Sequence, residues 1–216
     1  MTLPALIQNY QKQQFLSSLK KNYSVLSQGI KYAQAQHGED LQSWGCSDCP
    51  FPNYYTHQFR IQVPELFNYL GEGIKFSEIV DKGGASGLAA VTFCGVPESE
   101  GYKMMNGRTM DTGSVGGLWS SGYAVLQDGS CWYVGETKRS VDSDTMFNIT
   151  VDVNGPKRPN TMGKDVYRFV VHRNGSVTGP DGDERDCSHL TWAGGGMCST
   201  IIMNNGWSYP KNYYWK

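Results

Sequence analysis

The sequence predicts an α+β fold: a long N-terminal α-helix packed on an antiparallel β-sheet of about four strands, with a loop-rich, disulfide-stapled middle region. Three observations predict it. The first 37 residues carry no Gly before Gly29 and no Pro after Pro4. Past residue 121 come strand-length apolar runs separated by turn residues. Six cysteines, an even number, are spread through loop-like sequence, as in chains oxidised outside the cytoplasm. With no internal repeat and no low-complexity linker, residues 1–216 read as one domain. Its parts are a helix over 1–37, an irregular region over 38–121, and a sheet with the C-terminal region over 122–216.

Within TLPALIQNYQKQQFLSSLKKNYSVLSQGIKYAQAQHG, Phe15, Leu19, Tyr23, Leu26 and Ile30 recur at the three-to-four residue spacing of an apolar helix stripe. Lys12, Lys20, Lys21 and Lys31 lie largely off it. About 30 helical residues make a rod of roughly 45 Å, longer than most single cores. The stripe therefore packs on the sheet from Phe15 onward. Leu3, Leu6, Ile7 and Tyr10 have no such partner in this chain and form the predicted assembly face.

From Gln42 to about Ser121, Gly and Pro break any period, with a short helix expected around PELFNYLG and one strand at LAAVTFC. Beyond this, YAVLQ and CWYVG flank Asp128-Gly129, a hairpin signal whose loop length Ser130 leaves open. MFNITVDV and DVYRFVV complete an antiparallel meander of four strands.

Composition narrows function. Nineteen Lys and Arg against 20 Asp and Glu give a net charge of -1, so no summed field draws the chain to nucleic acid or an acidic membrane. No run approaches the ~18 apolar residues that span a bilayer. Only 18% of residues are charged, while 26 Gly, 13 Tyr and 6 Trp fit an exported, loop-rich β protein.

Between the last two strands lies VDVNGPKRPNTMGKD. Asp152, Asn154, Asn160 and Asp165 offer hard oxygen ligands, and Gly155 and Gly163 let backbone carbonyls turn inward, which points to calcium as a cofactor. It is no EF-hand: counted from Asp152, the third ligand position is Pro156 and the twelfth residue is Gly163. The alternative is a turn in which Asp and Asn cap their own backbone. A weaker acidic cluster, Asp181, Asp183 and Asp186 in PDGDERD, offers the same choice between a cation and a solvated loop.

The opening TLPALIQNYQKQQFLSSLKKNYSVLSQ resembles the helix of type IV pilins and type II secretion pseudopilins just past its membrane-embedded half, including the Pro4 that follows the apolar segment. DVNGPKRPNTMGKDVYRF and the ending CSTIIMNNGW resemble segments of pilin-like proteins in the prepilin-type N-terminal methylation family. The resemblance covers roughly the first 35 residues and much of the last 75, with no match in the middle. It implies a structural, non-catalytic subunit of a bacterial envelope or extracellular filament. Such a subunit is exported, anchored by the N-terminal helix before assembly, and partnered by other pilin or pseudopilin subunits. The family's leader, its cleavage and methylation site and the apolar half-helix do not appear, so the chain reads as a truncated, soluble part in which only the missing segment would meet a membrane.

Many pilins staple their C-terminal region, so Cys187 with Cys198 is the first expected pair, followed by Cys94 with Cys131 and Cys46 with Cys49. CSDC alone also admits a redox motif or half a zinc site, against which stand the missing βαβ context and the missing second close pair. His37, His57, His172 and His189 sit in no nucleophile-elbow or zincin spacing, and GGASG and GSVGG lack the Lys of a phosphate loop. The chain therefore reads as a non-enzyme. The aromatic tail NNGWSYPKNYYWK supports a rival from another class, a secreted adhesin or lectin-like module with a glycan or protein ligand.

Overall fold

A computed structural model describes residues 3–39, 41, 67, 70–71, 73–81, 94–97, 100–107, 109, 120–135, 144–181, 187 and 197–213. The first helix, α1, runs Leu3–His37 and stops where Gly38 turns left-handed at φ 105°, its N–H donating to the Gln34 carbonyl at 2.9 Å. Glycine meets that geometry without a Cβ clash, which is why the helix ends there.

Among the described residues six strands follow in one antiparallel sheet whose spatial order equals their chain order: β1 Phe76–Asp81, β2 Ser120–Leu126, β3 Cys131–Gly135, β4 Thr145–Asp152, β5 Val166–His172 and β6 Val177–Thr178. The sequence reading of about four strands is corrected to six. The additional β1 lies in the region read as irregular. It is an edge strand with a bulge between Phe76 and Glu78 and with Ser77, Glu78 and Ile79 exposed, so apolar alternation does not mark it. β6 is two residues long, below the length at which periodicity exists. Its turn is nonetheless written in Asn174-Gly175, a hairpin signal as strong as Asp128-Gly129.

Both hairpins use the same device. Gln127-Asp128-Gly129 is closed by the Leu126 N–H donating to the Ser130 carbonyl, and Arg173-Asn174-Gly175 by the His172 N–H donating to the Ser176 carbonyl. Gly129 and Gly175 take φ 85° and 77°, the left-handed third residue such loops need.

The helix stripe covers one sheet face. Phe15, Leu19, Leu26 and Ile30 are buried against Trp132, Ile149, Val151, Tyr167, Phe169 and Val171, with Tyr23 half-buried beside them. Strand alternation sends Cys131, Tyr133 and Val166 to the opposite face, where they join Cys94, Val96, Tyr102 and Met162 in a smaller second core. β3 and the start of β5 thus carry apolar packing on both sides.

One polar contact fixes the helix on its face. Asn22 is 1% exposed, and its Oδ1 accepts from Trp132 Nε1 at 2.6 Å and from Ser130 Oγ at 3.1 Å, while Nδ2 donates to the Ser18 carbonyl at 2.9 Å. Gly29 permits a second close approach, since a Cβ there would fall 2.3 Å from Ile74 Cδ1.

The last helix, α2, spans Cys198–Asn204 and lies on β5, with Ser199 Oγ donating to the Arg168 carbonyl. Among the described residues two disulfides are formed, Cys94–Cys131 across the second core and Cys187–Cys198 at the start of α2. Cys46, Cys49 and the LAAVTFC run before Cys94 lie outside the described residues, and of the expected PELFNYLG helix only Phe67, Leu70 and Gly71 are described, all helical.

Replacing Asn22 by Ala leaves the Trp132 indole N–H buried without its acceptor. Unfolding in urea should then fall by about 2–3 kcal/mol, the cost of an orphaned buried donor together with lost packing.

Candidate functional site

The loop joining β4 to β5 brings Asp152, Asn154, Asn160 and Asp165 together, as the sequence reading expected of a shared site. Both carboxylates are fully buried. Asp152 Oδ2 accepts from the Tyr102 hydroxyl at 2.8 Å and Oδ1 from the Asn154 N–H at 3.2 Å. Asp165 Oδ2 accepts from the Asn160 N–H at 2.8 Å and Oδ1 from the Thr161 N–H at 2.7 Å. Asn154 Nδ2 donates to the Lys157 carbonyl at 2.9 Å, and the Asn160 amide, oriented to match its neighbours, donates to the carbonyls of Gly155 and Lys157. These bonds let Asn160 hold φ 50°, a left-handed setting that Asn tolerates better than most residues.

Every side of the loop touches another part of the fold. The Lys103 N–H donates to the Asn160 carbonyl and the Met162 N–H to the Lys103 carbonyl, both at 2.9 Å. Arg158 makes a two-pronged ion pair with Glu100 at 3.1 and 2.9 Å. A Cβ on Gly155 would fall 2.3 Å from the Gly129 carbonyl oxygen in the β2–β3 turn, and one on Gly163 would fall 2.6 Å from Cys198 Sγ. The Tyr213 hydroxyl donates to the Gly163 carbonyl at 2.7 Å.

Electrostatically this is a costly arrangement. Burial raises Asp152 well above the carboxylate range, with the neighbouring Asp165 charge adding to it, and burial raises Asp165 to about 6. Burial also pushes the Tyr102 phenol up, and the Asp152 charge adds to that, so Tyr102 remains a donor.

A calcium ion asks for six to eight converging oxygens. Here each carboxylate oxygen faces a hydrogen-bond donor, and of the predicted ligands only Asn154 Oδ1 is buried with no partner. Among the described residues no cluster of three or more His, Cys, Asp or Glu could hold a metal. The arrangement fits a self-capped turn better than a calcium cage. Of the weaker cluster, Asp181 is exposed, and Asp183 and Asp186 lie outside the described residues.

The second candidate surface is the start of α1. Leu3, Leu6, Ile7 and Tyr10 are 71, 49, 52 and 70% exposed. At about 100° per residue, Leu3, Leu6 and Tyr10 lie roughly opposite the stripe that packs on the sheet. Tyr32, 46% exposed, falls on the same side. Burial begins only at Phe15, so about three turns of helix, close to 18 Å, run ahead of the core.

One histidine has the connectivity of a catalytic relay: His172 Nδ1 meets Asp144 Oδ2 at 3.0 Å and Nε2 meets Thr178 Oγ1 at 2.8 Å. Sequence spacing could not show it, because Asp144, His172 and Thr178 meet only through the β4–β5–β6 pairing. The hydroxyl belongs to an exposed, β-branched residue on the last strand, and the Arg173 N–H also donates to the Asp144 carbonyl at 2.7 Å. The group clips the β5–β6 hairpin to the start of β4. His37 ends α1, and His57 and His189 lie outside the described residues.

Compared with known proteins, the chain matches no family model, no curated protein and no solved structure.

Two outcomes follow from the loop. A carboxylate raised on folding contributes stability that is fully present below its unfolded value near ~4 and is lost as pH rises through its folded value. For Asp165 that window runs up to about 6. The thermal midpoint should therefore rise when pH is lowered from 7.5 to 5, and Asp165→Asn should flatten that rise. Because the inner oxygens already have donors, millimolar Ca²⁺ should move the midpoint no more than Mg²⁺ does. A calcium-specific increase over the EDTA baseline would instead place an ion in this loop.

Proposed function

We propose that this chain is a structural, non-catalytic subunit of a type IV pilus-like filament or type II secretion pseudopilus, assembling through the exposed side of α1. The observation that carries this reading is the apolar face at Leu3, Leu6, Ile7 and Tyr10. Soluble helices turn such a stripe toward their own core, yet this one points away from it. Side-by-side packing of helices from neighbouring subunits would bury it. The resemblance of the opening helix, of DVNGPKRPNTMGKDVYRF and of CSTIIMNNGW to pilin-like proteins supports the same conclusion.

One further observation agrees with an envelope or extracellular location. The disulfides Cys94–Cys131 and Cys187–Cys198 belong to an oxidising compartment, and together they would stabilise the fold by about 2–4 kcal/mol each in the usual loop-closure account. Among the described residues no helix is long and apolar enough to cross a membrane.

A photo-crosslinking residue at Tyr10, introduced in the producing cells, tests the reading. Adducts at multiples of the subunit mass, lost in a Leu6→Lys background, are the expected result. Adducts only to proteins of other mass, or a pattern indifferent to Leu6→Lys, would sink it.

A further inference from the structure

A groove of about 540 Å³ runs along the flank of α1, roughly a quarter turn from Leu6 and Tyr10. One wall is helix, carrying Asn9, Lys12, Gln13 and Lys20. The other is segment 206–210, carrying Trp207 and Tyr209. Its volume falls within the range of small-ligand sites. We propose that this groove binds a carboxylated sugar, a uronate-type residue of an acidic oligosaccharide.

The far wall is held rigid by its own bonds. α2 ends with the Gly206 N–H donating to the Met203 carbonyl at 3.1 Å and the Trp207 N–H to the Ile202 carbonyl at 2.8 Å, the paired closure of a glycine-terminated helix. Trp207 then takes φ 59°, a left-handed setting that is an outlier for a bulky side chain. Such backbone persists where its surroundings over-determine it, and here the indole packs on Tyr23 at 4.8 Å between ring centres. Ser208 Oγ donates to the Asn205 carbonyl at 2.7 Å, and the Tyr209 hydroxyl is 2.8 Å from that of Tyr167. A wall already ordered before binding costs a ligand little entropy.

The lining chooses the chemistry. No Asp or Glu contributes to it, and Lys12 and Lys20 bring cationic heads on flexible stems, which suits a carboxylate. Aromatic walls suit the C–H face of a sugar ring, and the amides of Asn9 and Gln13 both donate and accept, as hydroxyls require. A bare phosphate would leave the aromatic walls without a role. The groove lies off the assembly side of α1, so this proposal stands or falls apart from the filament reading.

Calorimetric titration of the chain with tri-galacturonate, maltotriose and tri-glutamate tests it, alongside the Lys20→Glu variant, whose exposed position leaves the thermal midpoint unchanged. Saturable binding of the uronate trimer alone is expected, weakened at least ~10-fold by Lys20→Glu, the size of a lost charge-assisted contact. Equal binding of maltotriose removes the anion from the proposal, and equal binding of tri-glutamate removes the sugar. No saturation, or indifference to Lys20→Glu, overturns the site.

Discussion

Two buried carboxylates organise this molecule. Asp152 closes β4 and Asp165 stands one residue before β5, and between them they gather four donors, the Tyr102 hydroxyl and three N–H groups of the loop itself. A loop of twelve residues would ordinarily be a loose connection; here its backbone is ordered by hydrogen bonds to the carboxyl groups that flank it. That ordering is transmitted outward. The loop is the surface on which segment 100–105, the β2–β3 turn, the Cys187–Cys198 region and Tyr213 all rest. Burying two carboxyl groups within reach of each other is unfavourable on its own terms, so the arrangement persists because its donors are fixed and its neighbours depend on it.

The chemistry of that loop is inward-facing, whereas the uncovered apolar patch and the groove described above lie on α1. The helix presents three distinct sides. One is committed to the sheet through Phe15, Leu19, Leu26 and Ile30 and through the Asn22 contacts; one is apolar and uncovered at its N-terminal end; and one, between them, forms a groove with segment 206–210. An element with three occupations needs a long uninterrupted helix, which the absence of Gly before Gly29 supplies.

The elements governed by local rules were legible in the sequence: α1 over the first 37 residues, the four central strands and the Asp128-Gly129 hairpin. β1 was not, because an edge strand with exposed Ser77, Glu78 and Ile79 carries no alternation, and β6 is too short to have any. The loop residues Asp152, Asn154, Asn160 and Asp165 were legible as a cluster, with a cation site and a self-capped turn both left open. Carboxylates that ligate a cation and carboxylates that cap backbone N–H groups look identical in one dimension, and Tyr102, fifty residues away, decides the environment of Asp152. The groove was visible only as an aromatic tail, since its cationic wall comes from the other end of the chain. The His172 clip required strand pairing to exist at all.

The placement of the two disulfides divides how the molecule would carry mechanical load. One ties Cys94 to β3 and the other ties Cys187 to the start of α2, and neither of these two reaches α1. A pull applied along the protruding end of the helix would therefore act on the α1–sheet interface in shear, spread over several turns of side-chain packing and the Asn22 anchor at mid-length. Many contacts would have to yield together before the helix slid. Should it do so, the cross-linked sheet and its loops would remain as a unit, ready to receive the helix again when the tension is released.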